Sequence, residues 1–376
     1  MAKLLYLISE DWFFCSHFMD RAKAAQAQGF EVAVLTRESR HGHLIREAGF
    51  RLLPLEMDRS STSVWKELRV LRQIWRAYLR ERPDLVHQIA LKPIIYGTFA
   101  ARMVGLRAVF NAPVGMGYLF TSRGAKALLL RPLVRVLLRC LLNPRGSRVV
   151  FENSEDLQTT VRGGVVRAED AVLIEGAGVD TALFHPVPTP VGQLVVVLAA
   201  RMLKDKGIVE FVEAARLLRR RGSVAKFWLV GAPDLGNPSS FKLAQLQAWQ
   251  QEGVIEWLGH QDDMASLLQK CHIACLPSYR EGLPKFLLEA MATGLPVVTT
   301  DATGCRQAVE DGVSGVLVPV RDAKALAGAL ERLIGDNSLR VKMGAAGRER
   351  AEYRYACEHV TQLTLQQYRL LAVARD

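Results

Sequence analysis

Apolar positions along the first half of this 376-residue chain recur in two alternating rhythms. Short, almost continuously apolar runs at 3–9, 31–36, 51–55, 84–89 and 108–111 read as strands. Between them, at 16–28, 42–48, 63–82 and 93–104, apolar residues stand three and four apart, as on one face of a helix. Gly29, Gly49 and Gly105 close three of these stretches, where a left-handed residue ends a helix. Strands joined by helical crossovers predict a parallel, doubly wound sheet, extended by runs at 148–153 and 171–175. The proline-rich stretch 184–190 predicts a stiff connector. Beyond it the rhythm restarts, with strands at 194–199, 225–230, 254–258, 273–276, 297–300 and 316–318. Helices are expected at 208–221, 245–251, 264–270, 284–293, 323–334, 338–350 and 355–373. The expected fold class is α/β: two Rossmann-like doubly wound domains, 1–188 and 189–354, facing across a cleft.

The stretch from Ser278 to Pro296 carries the chemistry. Pro284 suits a helix start, Gly294 its left-handed end, and Pro296 forbids continuation. The first amides of such a helix, those of Leu283, Lys285 and Phe286, lack partners within it and favour an anion, so Gly282, Leu283, Pro284 and Lys285 read as a diphosphate cradle. Helical side chains lean toward the N-terminus, which aims Glu289 back at that cradle. A carboxylate there suits neutral hydroxyls, as on a ribose, and Glu281 in the loop faces the next group along. The loop after the first strand of the second half carries Arg201 and Lys206, two cations at the carboxyl edge of a sheet where ligands bind. They can neutralise a diphosphate and stabilise the charge that grows on it as a bond to it breaks.

Glu281-Gly282-Leu283-Pro284 followed by Leu288-Glu289-Ala290-Met291-Ala292, with two glutamates eight positions apart, resembles the signature of glycosyltransferase family 4. That family comprises retaining enzymes of the GT-B architecture that use nucleotide sugars. The resemblance implies a hexosyltransferase in which Arg201 and Lys206 hold the donor diphosphate, Glu281 serves catalysis, Glu289 binds the donor, and Gly231 and His260 lie in base-binding loops. It also implies that the final helix, about 355–376, packs back on the first domain. No Asp-x-Asp motif is present, so no divalent metal and no other cofactor are expected. Residues 84–92, the 115–117 loop, 278–281 and Gly304-Cys305 are similar to the branch that builds capsule, O-antigen or protein-linked glycans. The expected donor is then a UDP-sugar, supplying an N-acetylhexosamine or related sugar, and the acceptor a polyprenyl-diphosphate-linked saccharide. Gly115, Gly117 and Tyr118 are assigned to the acceptor side. His87 and Lys92 read either as acceptor contacts or as structural residues. Two departures stand out: no histidine near Val114, and Ser9-Glu10-Asp11 where a double glycine is common. A nucleotide-sugar epimerase of the same architecture and a non-catalytic membrane scaffold are the rival readings.

Charge placement adds a partner. Of the net +11, residues 59–148 hold 17 Lys or Arg against Glu67, Glu81 and Asp84, a local balance of +14 that leaves −3 elsewhere. In 128–142, Arg131, Arg135 and Arg139 recur every four residues amid leucine and valine, which reads either as a cationic helix at an anionic membrane surface or as a core helix with one solvated face. No run of 18 apolar residues exists and the chain opens on a strand, so attachment is expected to be peripheral, at the cytoplasmic face of the inner membrane, with no nucleic-acid partner. Six scattered cysteines suggest a reducing compartment, and Cys271-His272 with Cys275 lacks the second ligand pair of a metal site.

Overall fold

The computed structural model describes all residues except 59–62, 115–135, 137, 235 and 374–376. The chain divides into two compact units, Met1–Ala177 with Glu358–Asp376, and Gly178–Cys357.

The first unit holds a seven-stranded parallel sheet of β1 Lys3–Glu10, β2 Glu31–Arg37, β3 Arg51–Pro54, β4 Leu85–Ile89, β5 Val109–Ala112, β6 Ser147–Phe151 and β7 Ala171–Leu173, in the order β3-β2-β1-β4-β5-β6-β7. The period-2 rule shows directly on β1: Leu4, Tyr6 and Ile8 enter one core, Leu5 and Leu7 another. Helices therefore cover both faces, as the uninterrupted apolar strands require. The helix expected at 16–28 is two helices, Asp11–His17 and Met19–Ala27. Asp11 explains the early start. Buried in the first turn, it accepts hydrogen bonds from the backbone of Trp12 (2.7 Å), Ser39 (2.6 Å) and His41 (3.0 Å) and from Ser39 Oγ (2.5 Å). The long helix Val64–Glu81 buries Val70, Ile74 and Tyr78 but leaves Val64, Trp65 and Leu68 exposed, so its apolar stripe is core only after the first turn.

The second unit contains β8 Val195–Ala199, β9 Lys226–Val230, β10 Glu256–Gly259, β11 Ile273–Leu276, β12 Val297–Thr300 and β13 Gly315–Val318, all parallel, in the order β10-β9-β8-β11-β12-β13. Chain order reverses between β8 and β11, so the loops following these two strands diverge at the carboxyl edge and open a crevice there. The unit begins at 178, not at 189. Val179 exchanges backbone bonds with Tyr355 (2.8 Å) and Cys357 (2.9 Å), and Phe184 joins the core, so the proline-rich stretch lies inside the unit. The closing helix Cys357–Val373 carries Val360, Leu365, Tyr368 and Leu371 into the core of the first unit.

Candidate active site

The crevice at the β8/β11 switch point brings together loops 75 residues apart. Gly207, at φ +71°, is packed so closely that a Cβ there would lie 2.0 Å from Pro277 O. Asp205 O then receives Tyr279 N (2.8 Å) and Ser278 Oγ (3.0 Å), which fastens the loop after β8 to the loop after β11. The fastening sets Lys206 against Glu281: Nζ to Oε1 is 2.5 Å, with the side chains only 15% and 12% exposed. Neither side chain has another partner among the described residues, so two ammonium hydrogens of Lys206 and one oxygen of Glu281 remain for a ligand. Glu281 N donates to Thr303 O (3.0 Å), bracing the loop from the β12 side.

The helix that follows is Lys285–Ala292, capped by Pro284 and Thr293, with Gly294 left-handed at φ +80°. Its first backbone bonds run from the amides of Leu287 (3.0 Å) and Leu288 (3.4 Å) to Pro284 O. The amides of Lys285 and Phe286 precede the first i−4 acceptor and form the positive end of the helix. Residues from Phe286 to Ala292 are buried, and each fully buried leucine contributes about 2 kcal/mol, so the helix start is rigidly held. Glu289, also buried, meets Lys285 Nζ at 3.4 Å. Burial raises its pKa, against the pull of the Lys285 charge.

Arg201 stands on the same loop as Lys206, but in this structure its Nη1 lies 2.7 Å from Asp234 Oδ2 in the loop after β9. The sequence reading missed Asp234; its only signal was position after a strand at the carboxyl edge. Each of the two expected diphosphate cations is thus matched to an acid here. Gly231 is required by the chain itself: its Cβ would lie 1.9 Å from Ala200 O, its amide donates to Gly259 O (2.7 Å), and its carbonyl accepts from Trp257 Nε1 (2.9 Å). His260 follows β10 at the same edge, exposed, with Nε2 3.2 Å from Asp262. Cys305 lies beneath the Glu281 loop, where burial and then the Glu281 charge push its thiol up to about 12, so it is no nucleophile. Tyr279 OH donates to Glu210 Oε1 (2.7 Å), a further brace of the loop that spacing alone did not reveal.

For His87 and Lys92, left open between an acceptor contact and a structural role, the structure shows structural partners in place of an acceptor-side position. His87 is wholly buried on β4: Nδ1 is 2.6 Å from Tyr368 OH, which is 3.0 Å from Tyr6 OH, and Phe18 and Phe110 stack edge-on around the ring. Burial, aided by the Arg21 charge, holds its pKa well below the ordinary value. It is a neutral core histidine that ties the closing helix to the sheet. Lys92 donates to Asp58 O (2.6 Å) and Glu67 Oε1 (2.8 Å), while Tyr96 OH donates to Glu67 Oε2 (2.7 Å). That cluster clamps the helix Leu91–Met103 to Val64–Glu81. Gly115, Gly117, Tyr118, Arg131 and Arg135 lie outside the described residues; Arg139 is exposed.

Among the described residues no group of three or more His, Cys, Asp or Glu is placed to hold a metal ion. His272 spends both ring nitrogens on the chain, accepting from Val195 N (3.2 Å) and donating to Pro190 O (3.1 Å). No helix of the described residues is long and apolar enough to cross a membrane.

Comparison with known proteins bears on the family and the fold. Residues 3–150 match the family described as glycosyl transferase 4-like, and residues 180–350 match glycosyl transferases group 1. The chain is 28% identical to the N,N'-diacetylbacillosaminyl-diphospho-undecaprenol alpha-1,3-N-acetylgalactosaminyltransferase of Campylobacter jejuni, over 87% of this chain and 88% of that one. It is 25% identical to the UDP-Gal:alpha-D-GlcNAc-diphosphoundecaprenol alpha-1,3-galactosyltransferase of Escherichia coli, over 74% and 73% of the two chains. The structure of Anabaena HepE, solved with UDP-glucose, superimposes with a TM-score of 0.80 at 18% identity, covering 99% of this chain and 100% of that one. The two family matches together span both units, and with these relatives and the shared fold they identify the chain as a glycosyltransferase of GT-B fold, glycosyl transferase 4-like in its first unit and of glycosyl transferases group 1 in its second.

Proposed function

We propose that this glycosyltransferase moves an N-acetylhexosamine, with retention, from a UDP-sugar to a polyprenyl-diphosphate-linked saccharide during assembly of a cell-surface glycan. The observation that carries the reading is the Lys206–Glu281 pair at the β8/β11 crevice, with its unspent donors and acceptor beside the start of the helix Lys285–Ala292. The donor diphosphate lies against Lys206, Arg201 and the amides of that helix. As the bond from the sugar C1 to the phosphate oxygen breaks, the negative charge grows where these donors are already fixed. The acceptor hydroxyl attacks C1 from the same face, and its proton passes to the departing diphosphate oxygen. No enzyme nucleophile and no metal ion enter this scheme. Glu281 orients the sugar, and Glu289 accepts from the ribose hydroxyls.

The names of both relatives specify undecaprenyl-diphosphate-linked acceptors, and one specifies N-acetylgalactosamine transfer, which supports the lipid-linked acceptor and the amino sugar. Peripheral attachment to the cytoplasmic membrane face is supported by the exposed Val64, Trp65 and Leu68 beside Lys66 and Arg69 on one helix turn and the next.

The test is a matrix of nucleotide sugars against polyprenyl-diphosphate saccharides, read by product mass and anomeric configuration, with and without chelator. The expected result is one N-acetylhexosamine added with retention, only in the presence of acceptor and at an unchanged rate in chelator. A new UDP-sugar formed without acceptor would assign an epimerase, and donor binding without turnover on any acceptor would assign a scaffold.

A further inference from the structure

Tyr279, two residues before Glu281, touches three other elements of the second unit. Its amide donates to Asp205 O (2.8 Å), beside Lys206 in the loop after β8. Its hydroxyl donates to Glu210 Oε1 (2.7 Å) on the helix Ile208–Arg220. The Arg321 guanidinium, in the loop after β13, lies 4.6 Å from the centre of its ring, over the face. A shift of the tyrosine must therefore carry the Glu281 loop with it, relative to the loop that holds Lys206.

The chemistry chosen for this junction is directional. Glu210 is buried, forms no ion pair among the described residues, and leaves Oε2 without a hydrogen-bond partner there. Only the positive end of its own helix, whose first turn it occupies, offsets the charge. Arg321 adds a second local cost, since it is a non-glycine residue held at φ +62°. Apolar side chains would join the same elements without stranding a carboxylate oxygen. What a hydrogen bond to a fixed carboxylate adds is a defined length and direction. Burial, then the bond to Glu210 and its charge, push the Tyr279 hydroxyl up to about 12 against the pull of Arg321, so it remains a donor at neutral pH.

We propose that Tyr279 is a positioning residue for sugar transfer: its bond to Glu210 fixes the loop 278–282 where Glu281 Oε1 meets Lys206 Nζ. The proposal rests on the assignment of Lys206 and Glu281 to the donor, and Tyr279 acts through Glu281 rather than by contact with the substrate.

The full chain and the variants Y279F, E210Q and Y279F/E210L are compared by kcat, donor KM and thermal melt, using the donor and acceptor that the matrix above identifies. In Y279F the loop loses its direction, so kcat should fall about tenfold to a hundredfold while donor KM stays within about threefold of wild type. Its melt should fall too, because Glu210 loses its one partner. E210Q keeps an acceptor for the hydroxyl and should hold kcat near wild type. In Y279F/E210L no polar group is stranded, so the melt should recover while kcat stays as low as in Y279F. Recovery of kcat along with the melt would reduce the bond to a structural one and overturn the proposal, as would a loss in E210Q equal to that in Y279F. A crystal structure of Y279F without ligand decides the same point apart from catalysis. Lys206 Nζ and Glu281 Oε1 should part beyond hydrogen-bond distance, and an unmoved pair would overturn the proposal. If the wild-type chain transfers no sugar from any nucleotide sugar, the function proposed above fails, and this structural readout still decides whether Tyr279 sets the pair.

Discussion

The two units each contain a half-buried lysine–glutamate pair, and the pairs behave differently. Lys92–Glu67 (2.8 Å, side chains 21% and 18% exposed) and Lys206–Glu281 (2.5 Å, 15% and 12%) look alike as ion pairs. In the first, the surroundings complete the group: Lys92 also donates to Asp58 O and Glu67 also accepts from Tyr96. In the second, the chain supplies one contact and leaves the rest of each charged group unspent, at the crevice where the strand order reverses. A pair satisfied by its own fold is a clamp, whereas on the proposed function the pair left incomplete at the sheet's carboxyl edge takes the donor.

Single substitutions should separate the two most sharply. Lys206→Ala is expected to lower kcat about a hundredfold to a thousandfold, because it removes a charge-stabilising donor, in addition to the stability lost by stranding Glu281. Lys92→Ala should cost about 3 kcal/mol in stability by stranding Glu67 but leave kcat near wild type. Comparable kcat losses in the two variants would erase the distinction.

Glu289 sharpens it within the second unit. Its raised pKa means the folded chain holds that proton more tightly than the unfolded chain. Its contribution to stability is therefore present at acid pH and lost as pH rises through the folded value, so the ionised form is a burden at neutral pH. Glu289→Gln should raise KM for the donor about tenfold, the worth of a hydrogen bond to a charged group, while leaving the denaturation midpoint equal or higher. Glu281→Gln, by contrast, should act mainly on kcat.

The smallest effect belongs to the first unit. His87 is neutral in the fold, and the unfolded chain takes up its proton near 6.5, so this contribution is intact above 6.5 and declines as pH falls below it. His87→Gln should flatten the acid limb of stability by up to about 1.4 kcal/mol per pH unit, without altering the pH profile of kcat. A changed kcat profile would return His87 to the acceptor site.

Much of the donor-side framework was legible because its signals are local. A proline before the helix and glycine after it set bounds within one residue of Lys285–Ala292, and continuous apolar runs marked the strands of both sheets. What failed was local evidence standing in for distant contacts. His87 and Lys92 looked available at a strand end and a helix start, yet one is closed over by Tyr368, 281 residues away, and the other is claimed by Glu67. Asp234 carried no motif, although it takes Arg201.

By itself the sequence determined which segments are strands and helices, that both halves are doubly wound, and where a short helix would present free amides, since those depend on side-chain periodicity and backbone stereochemistry within a few residues. Only the tertiary structure decided which charges meet. Partners such as Lys206 and Glu281, 75 residues apart, are joined by strand order and by the close passage of Gly207 under Pro277, and neither is written in the spacing of the residues that it brings together.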